Sequence, residues 1–229
     1  MGRLVVEGNP PIEVDIRRTA RARRLTLRVS RLDGRATLTL PARVPEREAR
    51  AFVQDRSGWL RAQLASVVPE QRPAFGQTLP FRGGRVTLVP GARRGVRLDG
   101  DRLLAPPEAD RLGPRLAGFL KTQAREVLVA ACDRHAAVLG RPHGRITLRD
   151  TRSRWGSCSA RGDLMFSWRL IMAPTAVLDY VAAHEVAHLS HMDHSPAFWA
   201  AVTRLFPDHA GPRRWLREEG TALHRIRFD

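Results

Sequence analysis

The 229 residues are 43% hydrophobic and carry a formal net charge of +16, which allows a real apolar core in one large domain or two small ones. No run of about eighteen apolar residues occurs, so no membrane-spanning helix is expected. Two cysteines, Cys132 and Cys158, are too few and too far apart for a disulfide scaffold or a C-x-x-C pair.

The charge is almost all arginine; Lys121 is the only lysine. Residues 1–105 hold 21 arginines against 10 acids, a balance of +11, and residues 106–229 have a balance of +5. Such an excess attracts polyanions, which makes nucleic acid a candidate partner of the basic first half. Aromatic residues are few there, and no stacking platform is evident. The opening "MGRLVVEGNPPIEVDIRR" lacks a long apolar stretch with a small-residue cleavage site, and position 6 is Val, which does not fit a myristoylation pattern. A cytoplasmic location is expected.

In chain order, "LVV", "IEVDI", "RLTLRVS" and "RATLTL" alternate with strand periodicity, and Asp33-Gly34 within residues 32–35 signals a hairpin. Residues 45–68 read as one helix with Ala49, Phe52, Val53, Trp59, Leu60 and Leu64 at helical spacing, weakened by Gly58. Three more short strands follow, with Gly83-Gly84 and Asp99-Gly100 as turns, and Pro106-Pro107 closes the section. This places a boundary near 105, giving a small β-rich basic domain over 1–105 and a second domain over 106–229. Residues 110–139 form a long helical pattern ended by Gly140 and Pro142. A strand at 145–150 is followed by strand, Gly-containing loop and strand, the last being "LMFSWRLIM". Pro174 opens the next helix, Ser195 and Pro196 cap a further one, and a short helix covers about 212–224. No internal repeat is evident.

The helix after Pro174 contains His184-Glu185-Val186-Ala187-His188, an HExxH pattern. Residues four apart share a helix face, so both imidazoles reach one Zn²⁺. Glu185 lies about 100° further round the axis. There it stands beside the metal without binding it and can accept a proton from water that the metal has made more acidic. A catalytic zinc needs a third protein ligand and an open position. Spacing favours His194, which follows the helix in a turn, and leaves His191 as the competitor. Asp193 is assigned to the turn rather than to a ligand's free N–H. Tyr180, four residues before His184, packs on the same face. "RWGSC" at 154–158 offers an apolar plate, Trp155, and a close backbone approach at Gly156. Cys158 reads as a buried small residue, since a nucleophile would need a base and a lowered pKa. Trp168 and Trp199 read as core, and Arg154 and Arg169 are candidates for an oxyanion against a default of solvated arginine.

With these residues in place the chain resembles the YgjP-like metallopeptidases, relatives of the WLM and SprT-like proteins among the zincins. The resemblance rests on "RWGSC" with "WRLIMAP" at 168–174, and on "YVAAHEVAHLSHMDHSPAFW" at 180–199. It implies an α+β fold: a zincin-like core, with the HExxH helix on a small antiparallel sheet, behind a β-rich N-terminal domain. It also implies His184, His188 and His194 as ligands of one Zn²⁺ per chain, Glu185 as general base, and a peptide or protein substrate. Many relatives have Asn in the strand before the Trp-Arg-Leu run. Phe166-Ser167 stands here, so any contact made by that Asn does not carry over.

Overall fold

The computed structural model describes residues 2–30, 33–67 and 69–229. The chain forms two compact units, residues 1–69 and 70–229, each with its own apolar core.

The N-terminal unit is a four-stranded sheet with two helices. Its strands are β1 (Gly2–Val6), β2 (Ile12–Arg18), β3 (Thr26–Val29) and β4 (Ala36–Leu40), in spatial order β1-β2-β4-β3. The alternation of Leu4, Val6, Ile12, Val14, Ile16, Leu38 and Leu40 puts one face into the core. Against it pack Ala49 and Val53 of α1 (Glu46–Asp55) and Leu60 of α2 (Ser57–Ala65). The single helix expected over 45–68 is therefore two, broken at Arg56, whose ψ of 13° leaves the helical range just ahead of Gly58; Val68 lies outside the described residues. The β3–β4 hairpin expected at Asp33-Gly34 forms, with Gly34 at φ 71°, where a side chain is disfavoured; Leu32 lies outside the described residues.

The C-terminal unit opens with a second four-stranded sheet: β5 (Thr78–Phe81), β6 (Gly84–Pro90), β7 (Arg97–Asp99) and β8 (Arg102–Ala105), ordered β5-β6-β8-β7. Its pairing repeats that of the first sheet: antiparallel, then parallel, then antiparallel. The repeat leaves no trace in the sequence because the shared feature is alternation, which many residues satisfy. The turn between β5 and β6 is Arg82-Gly83, both at positive φ, and Gly84 belongs to the strand.

The division between units falls at residue 69 rather than near 105. The reason is packing. Leu79, Phe81, Leu88 and Leu103 of this second sheet share one core with Leu112, Leu116 and Leu120 of α3 (Leu112–Leu139). Strand alternation reveals a buried face but not which core it joins.

α3 ends at Gly140, in the left-handed conformation (φ 74°). A three-stranded sheet follows, β9 (Ile146–Arg149), β10 (Gly156–Cys158) and β11 (Leu164–Ser167), ordered β10-β11-β9. It is mixed rather than antiparallel. The β10–β11 hairpin is antiparallel, and its far side sets β11 parallel to β9. The strand expected over 164–172 ends at Ser167, and Trp168–Met172 is a 3-10 turn with every side chain buried. That turn lets Arg169 reach Asp150 and the carbonyls of Leu223 and Ile226.

Then come α4 (Thr175–Ala187), α5 (Pro196–Leu205), α6 (Ala210–Glu218) and a 3-10 segment, Gly220–Arg225. Pro174 is the residue before the first turn of α4, and Ser195 caps α5 by accepting from the Phe198 amide, with Pro196 at the first position. α4 is apolar nearly all round and correspondingly buried. Asp179 on α4 is held by buried His135 of α3 at 2.8 Å and by Arg134 at 2.9 Å. The His135 hydrogen bond is the main reason its carboxyl titrates below the usual range. No helix of the described residues is long and apolar enough to cross a membrane. The protein is α+β, with the HExxH helix set beside a small sheet.

Candidate metal centre

α4 ends at Ala187, with His188 as its cap residue, and the chain then turns through 188–195 into α5. This turn brings His194 back over the helix. One ring nitrogen each from His184, His188 and His194 lie within 4.8 Å of one another. His184 Nε2 and His194 Nε2 face each other at 3.3 Å, a separation at which two imidazoles share either a proton or a cation.

The surroundings of two of these rings disfavour the charged form. Burial, then the neighbouring histidines, pull His184 down to about 4, and burial lowers His188 as well. His188 Nδ1 donates to the His191 carbonyl at 2.9 Å. A carbonyl only accepts, so Nδ1 carries the proton and Nε2 keeps its lone pair. His191 thus contributes its backbone rather than its ring. Asp193 accepts from the Ser195 amide, the turn role its position suggests.

Phe198 forms the floor. It stacks on His188 at 4.4 Å between ring centroids and meets His184 and His194 edge-on at 4.9 and 4.8 Å. Trp199 lies 5.9 Å from His184 and 6.1 Å from His194, so it packs against the cluster and is not simple core; Trp168 is core, 2% exposed. Sequence reading missed Phe198, although three positions past the helix cap is where a side chain turns back toward the preceding loop. Tyr180 packs edge-on to His184 at 5.9 Å, as its spacing suggests.

Glu185 is 6% exposed and faces β10. A Cβ at Gly156 would lie 2.5 Å from Glu185 Oε1, so only glycine permits this approach. Burial pushes the Glu185 carboxyl up to about 8, opposed by the Arg154 guanidinium. Beside it is a cavity of ≈ 240 Å³ lined by Arg154, Trp155, Tyr180, Val181 and Leu216, with His184 and Glu185 at one side. Trp155 is held from behind by His224, stacked at 4.8 Å, and by Gly220.

The two arginines separate. Arg169 is 6% exposed and spends its donors on Asp150 (2.6 and 3.0 Å) and on the Leu223 and Ile226 carbonyls (2.7 and 2.8 Å). It clamps the C-terminal segment from a buried position, with four of its five N–H donors engaged. Arg154 is exposed, lines the cavity, and its guanidinium has no hydrogen-bond or ion-pair partner among the described residues.

Cys158 is half-buried, and burial raises its thiol to about 11; Cys132 is raised to about 12. Only about 10⁻³ of Cys158 is then thiolate at pH 8. Iodoacetamide should label the native protein slowly, with a rate rising about tenfold per pH unit up to pH 10, whereas urea-unfolded protein should label at the ordinary rate of a free thiol. Rapid native labelling at pH 7 would reinstate Cys158 as a nucleophile.

Two imidazoles at the end of α4 and a third from the turn after it cluster beside a buried carboxylate, an arrangement suited to a metal-dependent hydrolase. The chain matches the model described as YgjP-like, metallopeptidase domain, over residues 23–219, and it belongs to the YgjP-like family. Among solved structures, the metallopeptidase zymogen of Pyrococcus abyssi abylysin is similar at 19% identity and a TM-score of 0.37, over 41% of this chain and 95% of that chain. No curated protein matches.

Proposed function

We propose that the protein is a zinc-dependent peptidase in which His184, His188 and His194 hold one Zn²⁺ and Glu185 is the general base. The observation that carries this is the set of three imidazoles, each offering one nitrogen, converging within 4.8 Å. Three nitrogen donors, with no fourth ligand beside them among the described residues, suit a catalytic zinc with an open position. When bound, the ion supplies Lewis acidity toward a peptide carbonyl and toward water.

The chain's own residues do the rest. Glu185 takes a proton from water as its oxygen adds to the carbonyl carbon, and passes it to the amide nitrogen as the C–N bond breaks. The burial that raises its pKa suits it to both transfers. Arg154 places an uncommitted positive charge at the cavity beside Glu185, where negative charge develops on the substrate. The cavity, ≈ 240 Å³, falls below the ~300–1,000 Å³ of small-molecule sites. Its walls of Trp155, Val181 and Leu216 fit one apolar side chain next to the cleaved bond. β10 is an edge strand, so an extended peptide can lie along it and reach Glu185.

The direct test is metal analysis of the purified protein. Wild type should hold about one Zn²⁺ per chain, and His188→Ala should lose it while remaining folded by circular dichroism. Absence of any stoichiometric divalent metal from wild type would end this reading.

A further inference from the structure

We propose that the N-terminal unit carries a binding groove for single-stranded nucleic acid, formed by Arg21, Arg23, Arg24 and Arg28 with Trp59 as its stacking platform. The metal centre plays no part in it.

Residues 17–28, "RRTARARRLTLR", hold six arginines and no acid. The structure runs them from the end of β2 into the edge strand β3. Arg18 is used internally, donating to the Val44 carbonyl at 2.6 Å. The guanidinium groups of Arg21, Arg23, Arg24 and Arg28 are exposed and have no hydrogen-bond or ion-pair partner among the described residues. They line a cavity of ≈ 580 Å³ together with the threonines Thr19, Thr26 and Thr39. No acidic side chain lines it. Another cavity on this unit, lined by Arg3 and Arg35, contains Glu13, Asp15 and Asp33 and is already neutralised. Four like charges held together without counter-charge repel one another, and they are stabilised by a polyanion.

The second observation is aromatic. Arg24 and Thr26 also line an adjoining cavity of ≈ 540 Å³ with Phe52, Arg56 and Trp59. Trp59 is 44% exposed, and it is the only aromatic among the exposed large apolar side chains of the described residues. Its neighbour in the helix, Leu60, is fully buried and anchors α2, so Trp59 faces outward without being needed by the core. Arg56 Cζ sits over the Phe52 ring, 3.8 Å from its centroid, so a cation–π pair borders the same cavity. The scarcity of aromatics in the sequence suggested no platform, but one is assembled from the helices beside the arginine segment.

A row of unpaired arginines joined to an exposed aromatic plate is how sequence-tolerant single-strand binding is built: charge follows the phosphates and the rings take unstacked bases. A duplex keeps its bases stacked and would use the arginines alone. An acidic peptide adding to β3 would likewise have no use for Trp59.

The test is fluorescence anisotropy of the full-length protein with labelled single-stranded dT and rU 15-mers, a duplex 15-mer and poly-glutamate. Glu185→Gln should bind as wild type does, which separates this result from the peptidase reading. At about 50 mM salt both single strands should bind, with the logarithm of affinity falling against that of salt with slope about −3, for four contacts of ~0.7 each. Arg24→Gln should reduce that slope by about 0.7. Trp59→Ala should weaken single-strand binding about tenfold at unchanged slope, and Trp59→Phe should restore most of it. Equal binding of duplex and single strand with indifference to Trp59→Ala, tighter binding of poly-glutamate, or no binding at low salt would each overturn the proposal.

Discussion

Glu185→Gln should leave the metal in place and abolish turnover. Glutamine keeps the shape and size of the side chain in its buried place against Gly156 and removes only the ability to accept a proton. The three imidazoles are untouched, so zinc content should equal wild type. Loss of a general base costs roughly 10²–10⁴ in rate, and kcat should fall by that much with little change in KM. Comparing cleavage products of the two proteins on a proteome-derived peptide mixture would give the rate ratio and the substrate preference together. A metal-binding protein without catalysis predicts the opposite pattern, with Glu185→Gln functionally silent and His188→Ala disabling. Unchanged peptide cleavage in the glutamine variant would remove Glu185 from the mechanism.

The parts of this site that were legible in the sequence are those set by local geometry. His184, Glu185 and His188 could be placed because a helix has a fixed period. His194 was favoured over His191 by the turn, and the structure brings His194, and not the His191 ring, to the other two. The use of His191 as a carbonyl acceptor was invisible, because backbone partners carry no sequence signal. Long-range pairings were equally hidden. Asp150 and Arg169 form a two-pronged ion pair, yet in a chain with so many arginines nothing marked Arg169 as the clamp and Arg154 as free. The fold shows the same division. Strands and turns were readable from alternation and glycine, whereas the boundary depended on which core the second sheet joins, a three-dimensional fact. The 3-10 turn at 168–172 defeated the strand pattern because an apolar run is buried in either conformation.

Gly156→Ala should be nearly as damaging to turnover as removal of the base, although position 156 bears no functional group. An added Cβ would sit 2.5 Å from Glu185 Oε1, 2.6 Å from Cγ and 2.8 Å from Cδ, all inside van der Waals contact. The strand has little freedom to retreat. Gly156 pairs with Phe166 in the sheet, and the Ser167 amide donates to the Trp155 carbonyl at 2.8 Å. Phe166 and Ser167 are themselves fully buried. The carboxylate must therefore move, and the available space is the cavity proposed for the substrate side chain. A displacement of about 1 Å costs roughly 10²-fold in rate, while overpacking should cost about 1–3 kcal/mol of stability. The measurements are kcat, zinc content and the urea midpoint. Zinc should stay at the wild-type level and kcat should fall about a hundredfold. Because both substitutions act through one carboxylate, Gly156→Ala combined with Glu185→Gln should be no slower than Glu185→Gln alone. Multiplying losses in the double variant would show that Gly156 serves the substrate strand independently of Glu185, and the role assigned to the close approach would fail.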